Sequence, residues 1–214
     1  MAVIATTVVQ IDSTARADNL ARWVGQWPGT EITQMLVVSP SPGEPFNKSA
    51  LMNRAFQRLN DDTIWFVDVD CVLSSTQRAF ALSALETHEI VWPFDGTVDY
   101  VDADGTLLRR YDYPEYPTPG GAWVARPGVV RALGGMCEDF THYGLEDCEF
   151  FERVRTLGVR WTRGHDPLRH YEHPRATAWH EDPQRATSLA RYDNLCAAPR
   201  EELLRRIARY PWRW

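Results

Sequence analysis

Lysine is almost missing from this chain: of its 23 basic residues, Lys48 is the one lysine and the rest are arginine. The imbalance reads first as codon bias of a GC-rich genome. Basic residues are themselves outnumbered by Asp and Glu, 23 to 29, for a formal charge of -6. That excludes the broad cationic surface of a general nucleic-acid binder. Cysteine is sparse, and Cys71, Cys137, Cys148 and Cys196 stand without C-x-x-C spacing, which excludes a zinc knuckle or a dense disulfide framework. Long hydrophobic runs are lacking too. The apolar start, Met1 to Val9, has no basic flank and is too short to span a membrane, so a soluble, intracellular protein is the expectation. No repeat or low-complexity tract is present.

What is there is a chain of 214 residues with 44% hydrophobic content, enough for one full core. Val3–Val9 reads as a buried strand. Ala17–Trp27 has the helical spacing Leu20, Val24, Trp27 and ends at Pro28-Gly29. Ile32–Val38 reads as a second buried strand, Ser49–Leu59 as a helix and Ile64–Val67 as a third buried strand. That alternation predicts an α/β fold with a mostly parallel central sheet flanked by helices. Further on, Glu89–Pro93 reads as a short strand and Val98–Tyr111 as a small antiparallel hairpin between Asp-Gly turns. Pro127–Leu133 and Glu146–Leu157 read as helices, the second with Gly158 beyond its end. Val159–Thr162 reads as a last strand, 164–185 as a long polar loop rich in His, Pro and Arg, and Pro199–Tyr210 as a closing amphipathic helix.

Four constellations carry chemistry. Asp68-Val-Asp70 follows a buried strand, where open α/β sheets bind ligands, and two carboxylates there suit a divalent cation gripping phosphate. On spacing alone, solvated loop carboxylates are the commoner outcome. Gly120-Gly121 lets the backbone approach a ligand closely, although an ordinary turn has the same look. Glu146-Asp147 opens a helix, where carboxylates usually just complement the dipole; the functional reading is a general base for an acceptor hydroxyl. His170-Tyr-Glu-His173, followed by His180, has spacing that can ligate a metal, against surface histidines as the plain reading.

Taken in order, these segments resemble the β-1,4-galactosyltransferase family and the galactosyltransferase-type C-terminal region of polypeptide N-acetylgalactosaminyltransferases. Phe46-Asn-Lys-Ser-Ala-Leu-Met-Asn53 is similar to F-N-R-A-K-L-L-N, and Trp65-Phe-Val-Asp68-Val-Asp70 to F-x-D-V-D. Gly120-Gly121-Ala-Trp-Val is similar to G-G-V. Tyr143-Gly-Leu-Glu146-Asp147-Cys-Glu-Phe-Phe-Glu-Arg153 resembles W-G-G-E-D-D-D-x-x-x-R. Leu168-Arg-His170 matches the last three positions of M-I-R-H, and Asp182-Pro-Gln-Arg185 echoes N-P-Q-R. The ordered set covers about residues 3–195.

The resemblance implies a single GT-A domain over 1–214. Its nucleotide-binding half would span 1–75, its donor-sugar and acceptor half 89–185, and its C-terminal helical tail 186–214. It implies an inverting, metal-dependent transfer of a hexose or N-acetylhexosamine from a nucleotide-sugar, a UDP-sugar first, with Mn2+ or Mg2+. Asp70 and His170 would ligate the metal and Asp68 support it. Asp147 would be the base and Glu146 would orient the acceptor. Asn47, Lys48, Asn53, Asp68, Gly120, Gly121, Trp123 and Tyr143 would contact donor or acceptor. The acceptor would be a saccharide, a protein hydroxyl or a small molecule, with sugars stacking on Tyr111, Tyr113, Tyr116 and Trp123. Nucleic acid ranks below these, through a groove of Arg109, Arg110 and Arg175.

The sequence also departs from the family. Val8-Val-Gln-Ile-Asp12-Ser-Thr14 stands where the family has P-F-R-N-R, so nucleobase recognition differs. Pro167 occupies the thioether ligand position; either His173, auxiliary to His170, replaces it or the site has one ligand fewer. Tyr143 replaces a tryptophan and Leu145 a glycine. No signal anchor or stem is seen, so a cytoplasmic enzyme of bacterial or viral kind is expected. Two other functions compete. An inactive sugar-nucleotide or lectin-like module would not need Asp147 with Glu146. A sugar-nucleotidyltransferase would show a Gly-rich phosphate loop after its first strand, and Ile4 to Thr14 has no glycine.

Overall fold

The computed structural model describes residues 3–27, 32–59, 63–112, 117–141, 144–173 and 182–212. The first half alternates as its apolar runs dictate: β1 (Val3–Val8), α1 (Thr14–Gly25), β2 (Gln34–Val38), α2 (Lys48–Gln57) and β3 (Thr63–Val67). β1 pairs parallel with β2 on one side and β3 on the other. β3 is buried along its whole length. β2 is the edge strand, with Met35 and Val37 exposed. The expectation of a second buried strand at Ile32–Val38 is therefore corrected: at the margin of the sheet the covering layers do not reach over Met35 and Val37.

The second half comprises β4 (Cys71–Val72), α3 (Ser75–Ala84), β5 (Ile90–Trp92), β6 (Val98–Val101), β7 (Leu107–Tyr111) and β8 (Ala122–Ala125). It continues with α4 (Pro127–Ala132), α5 (Glu146–Leu157), β9 (Trp161–Arg163), β10 (Leu168–Tyr171), α6 (Arg185–Cys196) and α7 (Arg200–Ile207). Among the described residues the main sheet runs β2-β1-β3-β8-β5-β9, and a smaller sheet runs β4-β10-β6-β7. β8 enters the main sheet antiparallel to both β3 and β5. The small sheet holds the expected hairpin β6–β7, but it also takes β10 from the stretch 164–185 that composition marked as loop. The residues that pair with Leu168–Tyr171 lie far away in sequence, so nothing local announces that strand.

Four tryptophans, Trp23, Trp65, Trp92 and Trp123, are each at most 1% exposed and anchor the core. Trp123 packs against Phe56, Phe66 and Phe150 with ring centroids 5.3–5.7 Å apart. Trp23 Nε1 donates to Val67 O at 3.0 Å, tying α1 to the end of β3. α5 is fixed by a fully buried pair, Arg153 to Glu149 at 2.6 Å, whose guanidinium also donates to Gly135 O at 2.7 Å beyond α4. Gly158 closes α5 in the left-handed region, as its position predicts. Among the described residues no helix is long and apolar enough to cross a membrane.

Candidate active site

The strand ends converge on a cleft of about 670 Å³. β3 stops at Val67, and the chain turns through Asp68-Val-Asp70, with Cys71 N donating to Asp68 O at 2.9 Å. β4 then pairs antiparallel with β10, placing Cys71 opposite His170, and Tyr171 N donates to Asp70 O at 2.7 Å. This pairing brings the histidine segment onto Asp70. His173 Nε2 lies 2.8 Å and His170 Nε2 3.6 Å from Asp70 Oδ2. The two imidazoles are near-parallel, 27° apart, and Tyr100 lies against His170 at 4.6 Å. One ligand atom from each of Asp70, His170 and His173 falls within 4.8 Å of the others. Burial alone would raise the Asp70 carboxyl, but the imidazoles of His170 and His173, with Lys48, hold it well below the usual carboxylate range. A carboxylate oxygen and two imidazole nitrogens suit a divalent transition ion, so the residues fit a metal site. The R-H context of the resemblance ranked His170 first and His173 as auxiliary; in the structure His173 stands closer to Asp70 than His170 does.

Beside this cluster stands Lys48, at the first turn of α2 behind its Asn47 cap. Its ammonium lies 2.8 Å from Asp147, 3.1 Å from Asp68 and 3.4 Å from Glu146. Burial works against the charged ammonium, yet Asp147, Asp68 and Glu146 hold its pKa well above the ordinary lysine value. Burial, with Asp147 and Asp70 close by, pushes the Asp68 carboxyl up to about 7 despite Lys48. Burial and Asp147 likewise raise Glu146. Three carboxylates thus share one cation in a poorly solvated place.

The wall facing them is Thr118 to Gly121. A Cβ on Gly120 would stand 2.9 Å from Asp147 Oδ2, and one on Gly121, whose φ is +99°, would stand 2.4 Å from Leu168 Cδ2. A side chain at Gly120 would have to displace the Asp147 carboxylate from its place, and one at Gly121 would meet both Leu168 and a left-handed backbone. Opposite, Leu145 caps α5 at φ 72°, the one non-glycine with positive φ among the described residues. A leucine in that region is strained, and it aims Glu146 and Asp147 at Lys48.

The fold therefore brings together Lys48, Asp68, Asp70, Gly120, Gly121, Glu146, Asp147, His170 and His173 on one cleft. It removes others from the expected set. Trp123 is a core residue, because its strand β8 is buried on both faces. Asn53 is buried at 1% exposure and serves the backbone, donating to Met136 O at 2.9 Å. Asn47 spends its side chain capping α2 and donating to Glu138 O at 2.8 Å. Arg109 and Arg110 pair with Glu172 and Asp99, so among the described residues each of these two charges has a carboxylate beside it. Tyr143, Tyr113, Tyr116, Arg175 and His180 lie outside the described residues. The sequence reading missed Arg16 and Tyr100, which also line the cleft; the alternation in Val98–Val101 was the signal for Tyr100.

Comparison with known proteins bears on the fold and on the family likeness. A family model for the N-terminal domain of galactosyltransferase matches residues 107–177. The Drosophila melanogaster β-1,4-galactosyltransferase 7 is 30% identical over 121 residues, 55% of this chain and 33% of that protein. The Danio rerio β-1,4-galactosyltransferase 5 is 26% identical over 141 residues, 63% of this chain and 33% of the relative. The chain spans about a third of the length of these curated relatives. Among solved structures, a Drosophila β-1,4-galactosyltransferase 7 mutant complexed with manganese, UDP-Gal and xylobiose superposes with a TM-score of 0.59 at 19% identity, covering 88% of this chain and 79% of that one. A glucosyl-3-phosphoglycerate synthase from Mycobacterium tuberculosis, in complex with Mn2+, UDP and phosphoglyceric acid, gives 0.54 at 13% identity over 92% and 79%. The fold is that of the GT-A glycosyltransferases. Within that class, the sequence resembles the β-1,4-galactosyltransferase family.

Proposed function

We propose that this chain is an inverting, metal-dependent glycosyltransferase that moves a hexose or N-acetylhexosamine from a UDP-sugar to a saccharide hydroxyl. The observation that carries the reading is one cleft holding Asp70, His170 and His173 within ligand distance of one another, beside Asp147 and Glu146 on Lys48. A divalent ion held by Asp70, His170 and His173 would supply Lewis-acid neutralisation of a departing diphosphate. The rest is done by the protein. Asp147 takes the proton of the acceptor hydroxyl, and α5 presents it from its N-terminal turn. Glu146 orients the acceptor. Lys48 keeps three neighbouring carboxylates from repelling one another. Gly120 and Gly121 leave a flat wall along which a sugar ring can lie.

The test is a donor screen by mass spectrometry with UDP-, GDP- and TDP-sugars, manganese and a panel of saccharides. A UDP-sugar should give product. Asp147→Asn should lower turnover by ~10²–10⁴-fold, the usual contribution of a positioned base, with UDP affinity unchanged. Nucleotide binding without transfer to any acceptor would sink the enzyme reading and leave a binding module.

A further inference from the structure

Two carbonyls of the cleft wall turn away from the cleft and are held from behind. Trp92 Nε1 donates to Pro119 O at 2.8 Å, and Arg163 Nη1 donates to Thr118 O at 3.0 Å. Neither donor lines the cleft. Trp92 is fully buried in β5. Arg163, at the end of β9, lies over the rings of Phe151, Trp92 and Phe94 at 5.0, 5.4 and 5.8 Å. Burial pulls its guanidinium down to about 10, which still leaves it charged at neutral pH. Its Nε and Nη2 are buried without a hydrogen-bond partner among the described residues. A half-buried cation whose Nε and Nη2 donors go unused is unfavourable. An apolar side chain would fill this aromatic pocket without that penalty, but it could not bond a main-chain carbonyl.

We infer that Trp92 and Arg163 are positioning residues of the active site, fixing the carbonyls of Pro119 and Thr118 and through them the spacing between Gly120 and the Asp147 carboxylate. The inference rests on the reading of Asp147 as the base. The peptide plane is rigid. Anchoring Pro119 O therefore sets the plane of the Pro119–Gly120 amide, and anchoring Thr118 O sets the plane before it. Gly120 then lies where even a methyl group would meet Asp147 Oδ2 at 2.9 Å. One residue on, Gly121 O accepts from Asp68 N at 2.8 Å, so the same wall registers two of the three carboxylates that Lys48 bridges. With this little clearance, a wall displaced toward the cleft pushes Asp147 away from its place. One displaced outward removes the surface against which the sugar rests.

Trp92→Phe keeps the ring and loses the N–H; Arg163→Met keeps the stem and loses the charge and the bond. Both would be measured for thermal unfolding, UDP affinity with manganese, kcat and KM, and hydrogen exchange over residues 117–121 by mass spectrometry. Folded variants should exchange faster in that segment and lose about 10²-fold in kcat, the scale of an ångström of misplacement. UDP affinity should stay within about twofold, since only the catalytic spacing is disturbed. In an Asp147→Asn background the kcat effect should vanish. Unchanged kcat in folded Trp92→Phe, or UDP affinity falling in step with kcat, overturns the inference. If Arg163→Met does not fold, Trp92→Phe decides alone. A wild-type chain without transfer activity refutes the functional reading instead. In that case the exchange data decide: faster exchange over 117–121 in Trp92→Phe supports the anchoring, and unchanged exchange overturns it.

Discussion

Lys48 is the group on which the charge balance of the cleft turns. It answers three carboxylates within 3.4 Å, and its side chain is 17% exposed. Removing one member of a poorly solvated ion cluster leaves the others uncompensated, at about 3–5 kcal/mol when burial is complete. Lys48→Met should therefore lower unfolding free energy by somewhat less, about 2–4 kcal/mol by that measure. Adding Asp68→Asn should restore part of it, because one of the three charges is then gone. Denaturant titration of the single and double variants checks this, and strictly additive losses would argue against the cluster. The metal side carries a second expectation. With His173 Nε2 at 2.8 Å from Asp70 and His170 at 3.6 Å, His173→Ala should weaken manganese binding at least as much as His170→Ala, about tenfold or more. Calorimetry on both variants decides, and a silent His173→Ala would return it to the auxiliary role the resemblance implies. Residue identities at both places were legible in the sequence. What was not legible was the partnership: Lys48 and Asp147 are 99 positions apart, and a rare lysine alone reads as codon usage.

At the scale of elements, legibility followed the locality of the signal. α5 was predicted to the residue, because its acidic first turn and Gly158 stop lie within the helix itself; its buried face was not, for the spacing Cys148, Phe151, Val154 suggests one apolar stripe while the helix buries Glu146, Glu149, Phe150, Arg153 and Val154. α3 was passed over even though Ser74 and Gln77 form a full capping box, a local signal that was there to be read. β8 and β10 were hidden for a different reason. Each is short and becomes a strand only through partners elsewhere in the chain, and both lie in stretches that glycine or histidine motifs dominate. The joint between Thr141 and α5 carries a prediction of its own. Leu145 holds φ 72° where the resembled family has glycine. Relief of a left-handed leucine is worth ~1–2 kcal/mol, offset by the greater unfolded-state freedom of glycine, roughly 0.5–1 kcal/mol. Leu145→Gly should thus raise stability slightly or leave it level, where glycine substitution elsewhere lowers it. A Tm lowered by several degrees would show that the leucine side chain contributes packing that outweighs the strain.

For the molecule as a whole, metal and fold should be linked. Asp70 ends the turn after β3 while His170 and His173 come from and just beyond β10, so an ion held by all three would tie the main sheet to the small one. Manganese at a hundred times its dissociation constant should stabilise the folded chain by ~2.7 kcal/mol, seen as a rise in Tm that a chelator reverses. Asp70→Ala should show no such rise; an equal rise in that variant would place the ion elsewhere. The scarcity of lysine has a practical consequence on the same scale. An amine-acylating reagent has one side chain to find on this protein, and that amine is held protonated among carboxylates inside the cleft. A protonated amine is no nucleophile, so the folded chain should take up label beyond its N-terminus only when the cluster opens. Counting added acyl groups by intact mass then gauges cleft opening directly, with no probe installed and no position to map.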